Sequence, residues 1–215
     1  MAATSKNTRT SPRKPAQSRS EGTCVPEVSF PLHCTKPRQT APEEVLVMCI
    51  ECAEDSARLR LLPDPAAIVR IMDETFGEYG WTRRYYFADG RLWCGVGVYH
   101  PLFANYAVKD ASAPAEKLHI KNPDKFKEDG SFLAAAALWG AGSDIMNLKP
   151  MLFKADQVEI CPIQRAQKPG EKPVIVGYRL ASVLHVDKLL RDDTGRIIGV
   201  QLIDREGRKA VWQES

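Results

Sequence analysis

The run Phe132-Leu-Ala-Ala-Ala-Ala-Leu-Trp-Gly-Ala-Gly142 narrows the choice of fold more than any other part of the chain. Alanine and leucine favour helix. Phe132, Ala135, Ala136 and Trp139 fall on one stripe at helical spacing, and Leu133, Ala134, Ala137 and Leu138 carry the apolar surface round to further sides. Such a helix needs more than one packing partner. Asp129 or Ser131 is expected to cap its start. Gly140 and Gly142 follow the helix instead of opening one, which is the wrong polarity for a phosphate-binding turn.

The partners are sought upstream. Asp64 followed by Pro65 is an N-cap and first-turn pair. Ile68, Ile71, Met72 and Phe76 then recur at helical spacing, and Gly77 is the expected stop. Phe76-Gly-Glu-Tyr-Gly-Trp81 leads into a strand from Trp81 to Phe87, a turn at Ala88-Asp-Gly90 and a return strand from Arg91 to Tyr99. Strand alternation puts Leu92, Cys94, Val96 and Val98 on a core face, with Arg91, Trp93, Gly95, Gly97 and Tyr99 opposite. On the first strand Trp81, Arg83, Tyr85 and Phe87 share one face, and Thr82, Arg84 and Tyr86 the other. The alternating glycines leave room for close approach to the backbone. Arginines interleaved with aromatics suit a single-stranded nucleic acid. An amphipathic hairpin whose rings merely pack on the two helices has the same pattern.

Elsewhere the pattern is mixed. Val45-Leu-Val-Met-Cys-Ile50 suits a buried strand or a helix. A polar stretch with several lysines runs from Lys109 to Lys127. Strands are expected at Gln157 to Pro162, Val174 to Leu180, His185 to Arg191, Ile197 to Ile203 and Lys209 to Trp212. Asp193-Thr-Gly195 and Asp204-Arg-Glu-Gly207 are the turns between the last three.

A chain of 215 residues is one domain with extensions or two small ones. Residues 1 to 42 carry seven basic groups against two acidic ones, a net +5; the remainder has 23 basic and 25 acidic groups, a net −2. The N-terminal segment is rich in Ser, Thr, Pro, Lys and Arg and is expected to be a disordered basic tail. It either adds non-specific attraction to an anionic partner or is simply a solvated leader. Any nucleic-acid site in the folded part must therefore be local. No apolar run reaches the ~18 residues of a membrane span, and no secretory leader is evident. The expectation is a cytoplasmic protein.

Six cysteines raise the question of metal. Cys49-Ile-Glu-Cys52 has ligand spacing, with Cys24, His33 and Cys34 upstream, but Cys24 and Cys34 lie too far apart for a standard half-site. The alternative reading is a zinc-stabilised protein-interaction module. No HExxH or GxxxxGK[ST] motif is present, so neither a metal hydrolase nor ATP-driven strand exchange is expected.

The order and spacing of Phe76-Gly-Glu-Tyr-Gly-Trp81, the aromatic and basic hairpin, and the helix with Phe132, Ala135, Ala136, Trp139, Gly140 and Gly142 resemble the Rad-fifty-two-type single-strand annealing proteins, the phage and prokaryotic branch in particular. The resemblance covers about residues 64 to 212 with gaps. It implies an α+β fold, with the β-hairpin and a third strand packed on helices and a C-terminal antiparallel β extension. The domains would be a tail over 1–42 and an annealing domain over 43–215 that ends in a β-meander. The implied function is non-enzymatic and cofactor-free: ATP-independent single-stranded DNA binding and annealing in recombination and repair, by a homo-oligomeric ring or filament, in a bacterial host cell if phage-encoded. Where the family's helix is basic this chain has Leu133, Ala134, Leu138 and Ser143. The DNA contacts are then expected at Arg83, Arg84, Tyr85, Arg91, Trp93, Lys109, Lys117, Lys121, Lys125 and Lys127. The lysines read equally as an ordinary solvated loop.

Overall fold

Strands are the commonest regular element among the described residues. The computed structural model describes residues 36–113, 123–166 and 172–214, with helix residues 123–126 by backbone alone. The elements run β1 (Val45–Cys52), β2 (Ser56–Pro63), α1 (Pro65–Phe76), β3 (Trp81–Ala88), β4 (Arg91–His100), β5 (Asn105–Ser112), α2 (Pro123–Ala137), α3 (Ser143–Met146), β6 (Met151–Lys154), β7 (Ile160–Arg165), β8 (Val174–Leu180), β9 (His185–Arg191), β10 (Ile197–Ile203) and β11 (Lys209–Gln213). The strands form four small antiparallel sheets, ordered β1-β2-β6, β11-β10-β9, β3-β4-β5 and β7-β8.

This overturns the expected α+β class. Strands account for 48% of the structure and helices for 20%, so the fold is mostly β. Two strands that the sequence reading passed over make the difference. In β2, Ala57, Leu59 and Leu61 are buried while Arg58 is exposed; in β6, Met151 and Phe153 are buried while Leu152 and Lys154 are exposed. Both alternate as half-buried strands do. They complete a sheet with β1 that shares a core with the β9–β11 meander, built from Leu59, Leu61, Phe153, Ile197, Val200 and Leu202 among others. The result is a small sandwich, and the two longer helices, α1 and α2, pack instead on another of the four sheets.

That sheet is β3-β4-β5. Ile68, Ile71 and Met72 of α1, Cys94 and Val96 of β4, and Phe132, Leu133, Ala135 and Ala136 of α2 form a second core. Asp64 caps α1 by accepting from the Ala66 amide at 3.0 Å, and Gly77 ends it at φ +81°. Asp89 and Gly90, at φ +51° and +69°, make the tight turn between β3 and β4. Helix α2 begins at Pro123, ahead of both expected caps; Ser131 lies inside it, its hydroxyl donating to the Glu128 carbonyl at 2.9 Å. Much of the apolar surface of α2 is used within this chain, since Leu133 is only 3% exposed; Leu138 remains half exposed. Short α3 belongs to both cores, with Ile145 in the sandwich and Met146 against the helices.

The packed chain also starts before the expected boundary at residue 42. Thr40 is 3% exposed. Its amide and hydroxyl donate to Asp144 of α3 at 3.1 and 2.9 Å, and Arg191 of β9 donates to both Asp144 and the Thr40 carbonyl, at 2.7 and 2.9 Å. Arg38 grips Glu44 through two nitrogens, at 2.7 and 2.8 Å, and reaches Glu74 of α1 at 2.7 Å. Residues 38 to 44 thus strap the two cores together. The Arg38 guanidinium holds the Glu44 carboxyl down at about 2, from an ordinary 4.5.

Candidate nucleic-acid interface

Strand register decides which side chains of β3-β4-β5 face the helices. Trp81, Arg83, Tyr85 and Phe87 stand opposite Val98, Val96, Cys94 and Leu92, and Val96 in turn opposes Lys109. Directly opposed residues share a face, so all of these lie on the α1/α2 side. Trp81 stacks on Phe132 with ring centroids 6.1 Å apart, and its indole donates to Asp73 of α1 at 2.7 Å. The Arg83 guanidinium lies 5.0 Å over the Phe132 ring. Lys109 donates to the Leu138 carbonyl at 2.7 Å, just past the end of α2, and its ammonium sits 4.2 Å from the Trp139 ring centroid. A cation there satisfies a carbonyl at the helix terminus. Trp139 in turn donates to the Val96 carbonyl at 2.8 Å. Burial pushes the Tyr85 phenol up, with a smaller push from Cys94. Arg83, Tyr85 and Lys109, all expected to touch DNA, are thus drawn to the helix side, and the two cations have structural partners there.

The other face is open among the described residues. From one end to the other it carries Ala88 and Arg91; Tyr86, Trp93 and Ser112; Arg84, Gly95 and Asp110; Thr82, Gly97 and Val108; and Tyr99 with Tyr106. Thr82, Arg84, Arg91, Tyr106, Val108 and Asp110 are exposed, and Tyr86, Trp93 and Tyr99 partly so. Trp93 is fixed by its indole donating to the Ala88 carbonyl at 3.2 Å. The Arg84 guanidinium lies 5.9 Å over the Tyr86 ring. At the far end Tyr99 and Tyr106 meet edge to face at 5.5 Å, and the Tyr106 hydroxyl donates to the Tyr79 carbonyl at 3.3 Å.

The glycines do a different job from the one expected of them. A Cβ added at Gly95 would stand 2.5 Å from an Asp110 oxygen, 3.2 Å from Val108 and 3.3 Å from Arg84 Nε. One at Gly97 would stand 3.1 Å from Thr82 and 3.3 Å from Tyr106. The space they free is taken by side chains leaning in from β3 and β5, not left as a groove. The centre of the face is therefore flat, with Arg84 and Asp110 converging above Gly95. The Tyr86 hydroxyl lies within hydrogen-bonding reach of Asp110; desolvation, and then that carboxylate, push the phenol up.

Of the expected contacts, the structure brings Arg84, Arg91 and Trp93 together on this face. Lys127 is exposed on α2, away from it. Lys125 is described by backbone alone, and Lys117 and Lys121 lie outside the described residues. The face gains four residues that had not been assigned a role: Tyr86, Tyr99, Tyr106 and Asp110. Alternation from Arg84 and Trp93 points to the first two. The other two come from β5, whose start at Asn105 precedes the expected polar stretch from Lys109 and whose end falls within it.

Other concave or reactive regions are more fully occupied. A cleft of about 610 Å³ lies between the strap, α3, the β9–β10 turn and β11. Two of its four cations are taken, Arg38 by Glu44 and Glu74 and Arg196 by Glu214. Cys49 and Cys52 flank an irregularity in β1, and burial pushes the Cys49 thiol up to about 11, which keeps it neutral. No group of three metal-ligating side chains gathers among the described residues. Cys24, His33 and Cys34 lie outside them. No described helix is long and apolar enough to cross a membrane.

In comparisons with protein families, curated proteins and solved structures, no match to the chain was found.

Proposed function

We propose that the chain binds single-stranded DNA on the open face of β3-β4-β5 and, without ATP, promotes pairing of complementary strands during recombination and repair. One observation carries this reading: two pairs of rings, Tyr86 with Trp93 and Tyr99 with Tyr106, bracket a flat polar centre that holds Arg84, with Arg91 just beyond the first pair. Rings on an exposed sheet are stacking platforms for unpaired bases, and every base has a face to stack. The arginines hold phosphates. The mechanism is binding, not bond-making. A strand held by its backbone and by some of its bases presents the rest to a complement, and base pairing supplies the specificity. The resemblance seen in the sequence points the same way.

Two cations on the face are few, so affinity rests on stacking more than on charge. For two neutralised phosphates the log-log salt slope is about −1.4. Self-association belongs to the proposal. Ile163, Val174, Ile175 and Val176 are exposed on the two-stranded β7–β8 ribbon, and such a ribbon is marginal by itself. The setting proposed is the cytoplasm.

The test is annealing of two complementary oligonucleotides carrying a fluorophore and a quencher, without nucleotide, with sedimentation of the protein alongside. The reading expects faster annealing than in buffer, slowed by Trp93→Ala, and a species larger than 24.0 kDa. Annealing at the uncatalysed rate, with no detectable DNA binding at low salt, overturns it.

A further inference from the structure

The geometry points to Asp110 as a base-selecting residue, one that favours nucleobases with an exocyclic amino donor and disfavours thymine. This rests on the reading of the open face as a single-stranded DNA site.

A carboxylate on a DNA-binding face, here on the edge strand β5 and midway along it, calls for an explanation, because it repels phosphate. Asp110 is exposed, and no described cation forms an ion pair with it. It is also held in place. Gly95 has no side chain to push it away, so the Asp110 carboxylate leans in over β4. Trp93 and Tyr99 are six residues apart on β4, roughly 20 Å at strand rise. Asp110 stands between them, one row in from Tyr86 and Trp93.

A strand lying across this face cannot run its phosphates over the centre. Its backbone follows the β3 side, where Arg84 stands across Gly95 from Asp110, and the hairpin end, where Arg91 is. A base stacked on Tyr86 or Trp93 then turns an edge toward the centre. A carboxylate can only accept hydrogen bonds. Cytosine offers its N4 amino group, and acidic side chains accept from it. Thymine offers O4, an acceptor, at the equivalent position, so oxygen would face oxygen. Cytosine and thymine are both single-ring bases, so stacking differs little between them and the comparison isolates the edge.

The experiment measures binding of the full chain to oligo-dC and oligo-dT of equal length, at one salt concentration, for wild type, Asp110→Asn, Asp110→Glu and Tyr86→Phe. Wild type should bind oligo-dC roughly fivefold tighter or more, the low end of what a base-edge contact discriminates. Asp110→Asn should tighten oligo-dT binding and bring the ratio toward one, because the amide can donate to O4 and no longer repels phosphate. Asp110→Glu should keep the preference. If Asp110 served only to position Tyr86, then Tyr86→Phe and Asp110→Asn would weaken both oligonucleotides alike, and the proposal would be overturned. Equal affinities in wild type, or a ratio unchanged in Asp110→Asn, also overturn it while leaving the DNA-binding reading intact. Binding to neither oligonucleotide overturns that reading, and this proposal with it.

Discussion

In the sandwich, two three-stranded sheets cover each other's inner faces, and both are spent on a shared core. In the helix-backed region a single three-stranded sheet has one face on α1 and α2 and nothing described on the other. Their exposed apolar groups differ in kind. The sandwich exposes single aliphatic residues, Leu46, Leu152, Leu190, Ile198 and Val211, as any protein surface does. Among the described residues the large exposed aromatics, Tyr79, Tyr85, Phe87, Phe103 and Tyr106, fall between residues 79 and 106, with Tyr106 on the open face and Tyr85 and Phe87 on the helix side. In the proposed reading the sandwich supplies stability, and the helix-backed sheet supplies the working surface.

The largest effect should come from the sandwich and stay there. Phe153 is fully buried, and Phe153→Ala should cost about 3–5 kcal/mol of stability. In denaturant melts beside a DNA titration, the folded fraction should keep wild-type affinity. Weaker DNA binding by folded Phe153→Ala would break the division between the two regions.

The strap between the regions should give a smaller, pH-dependent effect. Because Arg38 holds the Glu44 carboxyl down at about 2, the folded state keeps Glu44 charged where the unfolded chain, near 4.5, begins to protonate it. Its stabilisation is fully present above pH 4.5 and is lost as the pH falls toward 2. Glu44→Gln should remove roughly 2 kcal/mol at neutral pH, allowing for the solvent screening of Arg38. The difference from wild type should shrink through that acid window. A constant difference from pH 7 to pH 2.5 would show that the ion pair is not its source.

The smallest effect sharpens the comparison within one strand. Arg83 and Arg84 are neighbours on opposite faces of β3. Arg84→Gln should make the salt slope of DNA binding shallower by about 0.7, the contribution of one phosphate contact. Arg83→Gln should leave the slope unchanged. The reverse assignment would put the DNA on the wrong face.

The sequence reveals a good part of this. Helix α1 announces itself through Asp64, Pro65 and Gly77, and the β3–β4 hairpin through strict alternation around Asp89-Gly90. Strands β8 to β11 are legible from apolar runs between polar turns. What escapes notice has physical reasons. In β2 the alternation Ala57, Leu59, Leu61 is real, but adjacent Leu62 and Pro63 blur its end. β6 has only four residues, too few for a period to stand out. The start of α2 is masked by the charges of Asp124, Lys125, Lys127, Glu128 and Asp129, which read as a loop although Pro123 is a good first helical residue. The missed strands β2 and β6, not the late start of α2, are what set an expected α+β chain apart from this mostly β one.

At the site, Arg84, Arg91 and Trp93 follow from strand parity. The same parity argues against Arg83, which shares a face with Trp81. Lys109 needs the register of β5, and nothing local fixes that register. Tyr106 and Asp110 stay hidden for the same reason.

The most direct measurement compares surface variants from the two regions in one titration with single-stranded DNA. Trp93→Ala combined with Tyr106→Ala takes one ring from each end of the open face. Leu190→Ala combined with Val211→Ala trims exposed side chains of the sandwich. With each stacked base contributing about 1–3 kcal/mol, the first pair should weaken binding by roughly thirtyfold or more, and the second should leave it at the wild-type value. Equal affinities for both pairs and the wild type would contradict the placement of the working surface on β3-β4-β5.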